Sequence, residues 1–391
     1  MEDIYVVESL RTPFGSFVGV LADVDAPHLG GTVMQILSER ADLDPAVINE
    51  VIIGQVLAGG VGQAPARQAM RYAGFPDTIH AMTINKVCGS GLKAIMLGAA
   101  SIALGDSEIV IAGGMENMSL APFILKKARY GYRMGHGELL DLMVYDGLQD
   151  PYTGRHMGEI VDAAAQRYGF SREAQDEYAI RSYQLAQKAV KEGNFKDEIV
   201  PVVKKSKKGE QVIADDEEPF KVDFEKLKQL RPAFTKEGTV TAGNASTIND
   251  GAALTLLVGE AALKKYSLNA RARLVAYSTW SLSPDLFPDA PVGAIESVCS
   301  RAGIKVSEID LLEINEAFAA VPMIAIKQLD LDPRRVNVNG GAVALGHPIG
   351  ASGGRLVATL VRELNKRQVR YGLAALCIGG GEAVAAIFER V

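Results

Sequence analysis

The stretch that decides how this chain is read is Asn85-Lys86-Val87-Cys88-Gly89-Ser90-Gly91, followed by residues 92–104, which are rich in alanine and apolar on nearly every face. A run of that length is too long for a strand and reads as a helix buried inside a larger protein. Before it, residues 81–84 (Ala-Met-Thr-Ile) read as a short buried strand. Cys88 then stands at a strand-to-helix turn, where unpaired backbone N–H groups and the helix dipole favour a thiolate. Gly89 and Gly91 permit a sharp turn and let a ligand approach the backbone closely. Taken alone, the stretch fits two accounts: a reactive thiol, or a small buried cysteine whose glycines only make the turn.

A chain of 391 residues is long enough for two or three domains with cores of their own. Its 40 glycines, few aromatic residues and 48% hydrophobic content suit an α/β protein with many tight strand–helix turns. A formal net charge of −6 argues against general nucleic-acid binding. The three cysteines, Cys88, Cys299 and Cys377, are too few for a disulfide framework and point to a reducing compartment. The first residues pass straight into a strand without a basic and then apolar leader, and no uninterrupted apolar run approaches a membrane span. A cytoplasmic protein without a membrane or nucleic-acid partner is the expectation.

Outward from the Cys88 turn, strands and helices alternate. Residues 4–8 and 51–56 read as strands, 27–40 and 64–73 as helices, and 108–112 as the strand after the buried helix. The rhythm stops between residues 118 and 231, where charged and glycine-rich segments surround one helix pair, 158–168 and 171–192. The charged runs 204–208 and 215–218 read as solvated faces. Alternation resumes with strands at 252–259, 273–278, 311–314, 373–377 and 383–388, and helices at 260–266, 294–302, 317–328 and 355–366. This order implies a mainly parallel sheet with helical crossovers. The two ends also echo one another, each with a strand, a glycine-rich turn, a long helix and a strand ending in glycines. That suggests a duplicated α/β unit whose two turns face each other.

Four segments carry a resemblance. Asn85-Lys86-Val87-Cys88-Gly89-Ser90-Gly91, Asn315-Glu316-Ala317-Phe318, Gly346-His347-Pro348-Ile349-Gly350 and Cys377-Ile378-Gly379-Gly380-Gly381 are similar to the signature blocks of the thiolases, in the family's order and across essentially the whole chain. His156-Met157-Gly158 and Ala242-Gly243-Asn244-Ala245-Ser246 further resemble the short-chain, acetoacetyl-CoA-forming branch. The resemblance implies duplicated α/β halves in an α-β-α-β-α layering with an inserted loop domain. The halves would be residues 1–117, continuing at about 244–268, and 269–391, with residues 118–243 binding CoA and making tetramers.

It also implies roles. Cys88 would carry the acyl group, as sulfur is both a good nucleophile and a good leaving group. His347 would activate Cys88 and then donate to a thioester oxygen, tasks suited to a group that titrates near neutrality. Cys377 would be the acid/base at the acyl C2. Asn315 would hold a water that completes one oxyanion hole with His347, and the N–H groups of Cys88 and Gly379 would form the other. Asn315 also fits a turn residue ending a strand. Cys299 reads as core, and Glu316 as a group behind the site.

Ser246 would contact the pantetheine arm of CoA, with Leu148, His156, Met157, Phe234, Ala317 and Phe318 along a mostly apolar tunnel and Ala242 in the adjoining loop. Lys221, in Glu218-Pro219-Phe220-Lys221, would supply the positive charge near the adenine that the family often takes from an arginine. Phe287 would wall a short acyl pocket with Met157; its Phe287-Pro288 pair resembles that of thiolases that also cleave 2-methylacetoacetyl-CoA. It equally fits a packed residue in a proline-rich connector. CoA thioesters would be substrates, with no resident cofactor or metal, and the protein would be a homotetramer. A ketoacyl synthase of the same superfamily would carry a histidine where Asn315 stands, and a non-catalytic acyl-CoA carrier would not need Cys88, His347 and Cys377 together.

Overall fold

The computed structural model describes residues 2–206 and 209–391. The first half runs β1 (Ile4–Arg11), β2 (Gly15–Ser16), α1 (Ala26–Arg40), β3 (Glu50–Gly54), α2 (Pro65–Tyr72), β4 (His80–Ile84), α3 (Ser90–Leu104) and β5 (Ile109–Asn117). The excursion holds the small pair β6 (Phe123–Ile124) and β7 (Leu140–Asp141), a π-helical turn Met143–Leu148, α4 (Met157–Tyr168) and α5 (Arg172–Glu192). It continues with the pair β8 (Val202–Ser206) and β9 (Gly209–Ile213), then α6 (Phe224–Leu227). The chain returns through β10 (Asn249–Gly259) and α7 (Glu260–Lys265). The second half is β11 (Ala272–Ser281), α8 (Ala290–Ala302), β12 (Leu311–Ile314), α9 (Ala320–Gln328), α10 (Ala342–Leu345), α11 (Ser352–Arg367), β13 (Tyr371–Ile378) and β14 (Glu382–Arg390).

Alternation along the strands sorts side chains into layers. On β3, Val51 and Ile53 join the apolar cluster of α1 and α2, while Ile52 joins that of α3. On β13, Leu373 and Ala375 join α8 and α9, while Ala374 and Leu376 join α11. Helices α3 and α11 share one cluster and fill the middle layer. The result is the expected duplicated α-β-α-β-α arrangement. The two central helices begin in backbone contact: a Cβ on Gly353 would lie 2.2 Å from the Leu92 nitrogen, and one on Gly91 2.9 Å from the Gly350 carbonyl oxygen. That contact brings the Cys88 turn and the His347 turn to one place.

Four expectations need correction. The strand order is β12-β13-β14-β11-β1-β10-β5-β3-β4, with β2 on β10. Among the described residues, the strand pairs β3–β4, β3–β5 and β12–β13 are the parallel ones; the sheet is mixed because β10 arrives from the excursion antiparallel to β5, and a tight glycine turn folds β14 back on β13. The two half-sheets join where residues 4–6 of β1 meet 272–274 of β11. Strand β4 is not buried: it is the last strand of the order, bonded to β3 alone, and Met82 on it is 41% exposed.

The run 215–218 is not a solvated face either. Asp216 is buried and takes both Nη atoms of the fully buried Arg11, whose Nε goes to Glu198. Paired in this way, buried charges are tolerated. Of the run 204–208, Lys204 pairs with Asp23, and Lys207 and Lys208 lie outside the described residues. Last, Val87–Leu104 has a mean hydropathy of 1.6 over 18 residues, enough by length and composition to cross a membrane. In the fold this segment packs between the two half-sheets against α11, which is why it is apolar on nearly every face.

Candidate active site

The heptapeptide before α3 is held by its own side chains. Asn85 Oδ1 accepts from the Val87 N–H at 2.9 Å, and Ser90 Oγ accepts from the Lys86 N–H at 2.8 Å while donating to the Val87 carbonyl at 2.7 Å. These bonds hold Val87 at a φ of 45°, an uncommon conformation for a β-branched residue and a place where strain is stored beside Cys88. A Cβ on Gly89 would fall 2.4 Å from Ile378 Cδ1, so only glycine lets the turn press against β13. Cys88 is thereby presented at the mouth of α3.

The second turn is built from the other half. Gly346 has a φ of 97°, and a Cβ there would meet the Asn249 amide at 2.3 Å. Asn249 Oδ1 accepts from the His347 N–H at 2.9 Å and fixes the backbone. The ring is fixed by Ser352, whose Oγ lies 2.5 Å from His347 Nδ1 and donates to the Pro348 carbonyl at 2.9 Å. With its proton so used, Ser352 accepts from Nδ1–H and leaves Nε2 with a free lone pair. Burial, and then the positive charge of Arg355, push the His347 imidazolium down to about 3. Arg355 is itself paired with Glu313 at 2.7 Å.

Asn315 stands beside this ring, outside the channel wall. Its Nδ2 is 3.5 Å from both ring nitrogens, too long and too evenly shared for a strong bond. Its Oδ1 is buried with no hydrogen-bond partner among the described residues. A buried amide left in that state is a poor structural choice and a good place for an outside donor. Glu316 is by contrast saturated, accepting from Tyr178, Ser182, Asn337 and the Val343 N–H, and ties α5 to the second half.

Cys377, near the end of β13, is buried and opens on the same channel. Beyond it Gly380 and Gly381 have φ of 91° and 88°, which a side chain would strain, and Gly379 lines the channel with Cys88. Burial nevertheless pushes the Cys88 thiol up to about 11, against the help of the Gly379 and Cys88 N–H groups. The thiol of this half-buried cysteine is thus raised where a thiolate was expected, because desolvation outweighs the two N–H groups. The Cys377 thiol is raised further, by burial and then by negative charge on Cys88. At neutral pH the three groups are therefore thiol, imidazole and thiol.

They face a channel of about 230 Å³. Leu148, Met157, Phe234, Phe287, Ala317 and Phe318 line it, with Ser246, His156 and Gly379. His156 accepts from the Gly158 N–H at Nδ1 and stacks on Phe234 at 4.7 Å between ring centroids. Ser246 Oγ donates to the Ala317 carbonyl at 2.9 Å. Phe287 answers both readings of it, being buried in the cluster of Met157 and Cys377 and also on the channel wall.

Two expected residues are elsewhere. Lys221 is not on the channel, because Glu217 four residues earlier holds its Nζ at 2.7 Å together with Ser16. Ala242 lies in an exposed turn beyond the wall. Sequence reading missed Met118, Ile248 and Ile349 on the wall and Ser352 and Asn249 behind His347. Ser352 was within reach, since it falls on the helix turn after His347; Asn249 comes from a distant strand and leaves no local signal.

A cysteine on an apolar channel, an imidazole with a free lone pair and a second buried thiol are the parts of an acyltransferase enzyme. The family model described as Thiolase, N-terminal domain matches residues 4–261, and Thiolase, C-terminal domain matches 268–390. The chain belongs to the thiolase family. Among similar proteins are an acetyl-CoA acetyltransferase of Pseudomonas aeruginosa, 48% identical, and a probable acetyl-CoA acyltransferase of Staphylococcus aureus, 47% identical, each match covering 100% of both chains. The crystal structure of the Bacillus anthracis acetyl-CoA acetyltransferase superposes with a TM-score of 0.98 at 42% identity, over 100% of this chain and 99% of that one.

Proposed function

We propose that the reaction is acetyl-CoA C-acetyl transfer, the reversible condensation of two acetyl-CoA to acetoacetyl-CoA and CoA. His347 Nε2 takes the Cys88 proton as sulfur attacks the thioester carbonyl; the C–S bond to CoA breaks, and the CoA thiolate leaves with the proton from His347. A second acetyl-CoA enters; Cys377, its own proton first passed to His347, takes a proton from C2, and the carbanion attacks the acetyl-Cys88 carbonyl, forming the new C–C bond. Collapse of that adduct breaks the C–S bond, and the freed Cys88 sulfur regains its proton from His347. Thiolysis is the same path reversed. The acyl group arrives already activated as a thioester, so the chemistry needs no resident cofactor.

The observation that carries this reading is that Cys88, a neutral His347, Cys377 and Gly379 line one apolar channel. Such a site moves protons internally and keeps water from an acyl thioester. The apolar wall suits a pantetheine arm. Asn315 in place of a second histidine favours a thiolase over a ketoacyl synthase. Residues 118–243 are proposed to hold CoA and to assemble the protein as a homotetramer.

The test is loss of acetoacetyl-CoA absorbance with added CoA, repeated with the 2-methyl analogue and a ketoacyl chain of about eight carbons. Acetoacetyl-CoA is expected to turn over well, the 2-methyl analogue measurably and the long chain poorly. One methyl group in an apolar pocket is worth only about 1–3 kcal/mol, so the preference is graded. Equal cleavage of the long chain would sink the short-chain assignment. An unchanged methyl preference in Phe287→Met would leave Phe287 with packing alone.

A further inference from the structure

Glu116 takes no part in the chemistry above, yet it is a fully buried carboxylate between its two turns. It lies on β5 opposite Gly251 of β10. Its Oε2 accepts from the N–H of Val56 at 2.9 Å and of Gly350 at 3.0 Å, and its Oε1 from the N–H of Leu57 at 3.1 Å. Gly350 follows His347 by three residues. Leu57 packs with Ile349, which lines the channel. One carboxylate thus clamps the His347 turn to the loop after β3. The seat has no slack: a Cβ on Gly350 would lie 2.6 Å from Glu116 Oε2, and one on Gly114 1.9 Å from the Gly350 oxygen.

Burial is the main cause of the raised Cys88 thiol, and negative charge on Glu116 adds the smallest share. Burial pushes the Glu116 carboxyl up to about 7 against its three N–H donors, with the negative charge of Asp250 on β10 adding to the rise. Across the channel, Cys88 faces His347 and Cys377, and Arg355 stands behind His347.

We propose that Glu116 is a positioning residue of the acyl-transfer site: its carboxylate clamps the His347 turn to β5 and to the loop after β3, and so holds the His347 imidazole in place at the channel. The proposal rests on the reading of Cys88 as the acyl carrier.

Two substitutions test the clamp. Glu116→Asp keeps the charge and falls short of Gly350; Glu116→Gln keeps the length and sets an amide NH2 against the backbone donors. Each is compared with wild type in thiolysis kcat and KM and in Cys88 alkylation by iodoacetamide. Both are expected to lose about tenfold or more in kcat with KM little changed, as a displaced catalytic turn would cause, and to alkylate within about threefold of wild type. A kcat within twofold of wild type in both, or a rise in KM that accounts for the loss, overturns the proposal. So does failure of both to fold, which would give Glu116 to folding and not to the site. A wild type without thiolysis would refute the proposed reaction; an active wild type matched by both variants would refute the role of Glu116 alone.

Discussion

Cys88 keeps its proton at neutral pH because burial raises its thiol more than the Gly379 and Cys88 N–H groups lower it. His347 keeps its lone pair for the same reason, with Arg355 adding to it. The signs fix a pH dependence. A thiol raised to about 11 is ionised to only about one part in ten thousand at pH 7, so alkylation of the free enzyme should climb about tenfold per pH unit from 6 to 10. A plateau below pH 8 would show that the helix dipole wins after all. An imidazolium lowered to about 3 remains a neutral base above that pH, so kcat should show no acid limb near 6.5 from His347. The residues of this site were legible where chemistry and spacing coincide, as in Cys88-Gly89-Ser90-Gly91. The state of the thiol was not, because desolvation depends on everything packed around it.

Elements place these residues through one contact, the meeting of α3 and α11 at Gly91 and Gly353. Alanine at Gly353 would put its Cβ 2.2 Å from the Leu92 nitrogen, and backbone cannot yield as a flexible side chain can. Gly353→Ala should therefore cost about 1–3 kcal/mol or more in stability and lower kcat, since both turns ride on these helices. Calorimetry and the thiolysis assay check this; an unchanged melting temperature would mean that the helices slide without penalty. Periodicity showed α3, α4 and α5 and the duplicated order of elements. It did not show that the sheet is mixed, because strand direction is set by where β10 re-enters and by the Gly379–Gly381 turn. Nor did it show that β4 is an edge, since an edge strand and a central one read alike over five residues. The charge run 215–218 misled because Arg11, which Asp216 neutralises, is far away in sequence.

On the scale of the molecule, two surfaces are unfinished. Among the described residues β4 pairs on one side, with β3, and exposes Met82, a form that invites another strand. The excursion exposes Phe123 at 60% and Tyr130 at 87%, with Leu120, Leu125 and Met134 also exposed, more apolar surface than a solvated loop carries without reason. The proposed homotetramer, built as a dimer of dimers, would cover both. Light scattering should give a tetramer for the full chain and an active dimer after deletion of residues 127–137; a wild-type monomer would refute the assembly. The central claim is that Cys88 carries the acyl group. Incubation with acetyl-CoA, rapid quenching and mass spectrometry of the digested protein test it most directly. The account predicts one acetyl group, on the peptide containing Cys88, and none in Cys88→Ser. Acetyl found on Cys299 or Cys377, or full labelling of Cys88→Ser, would contradict it.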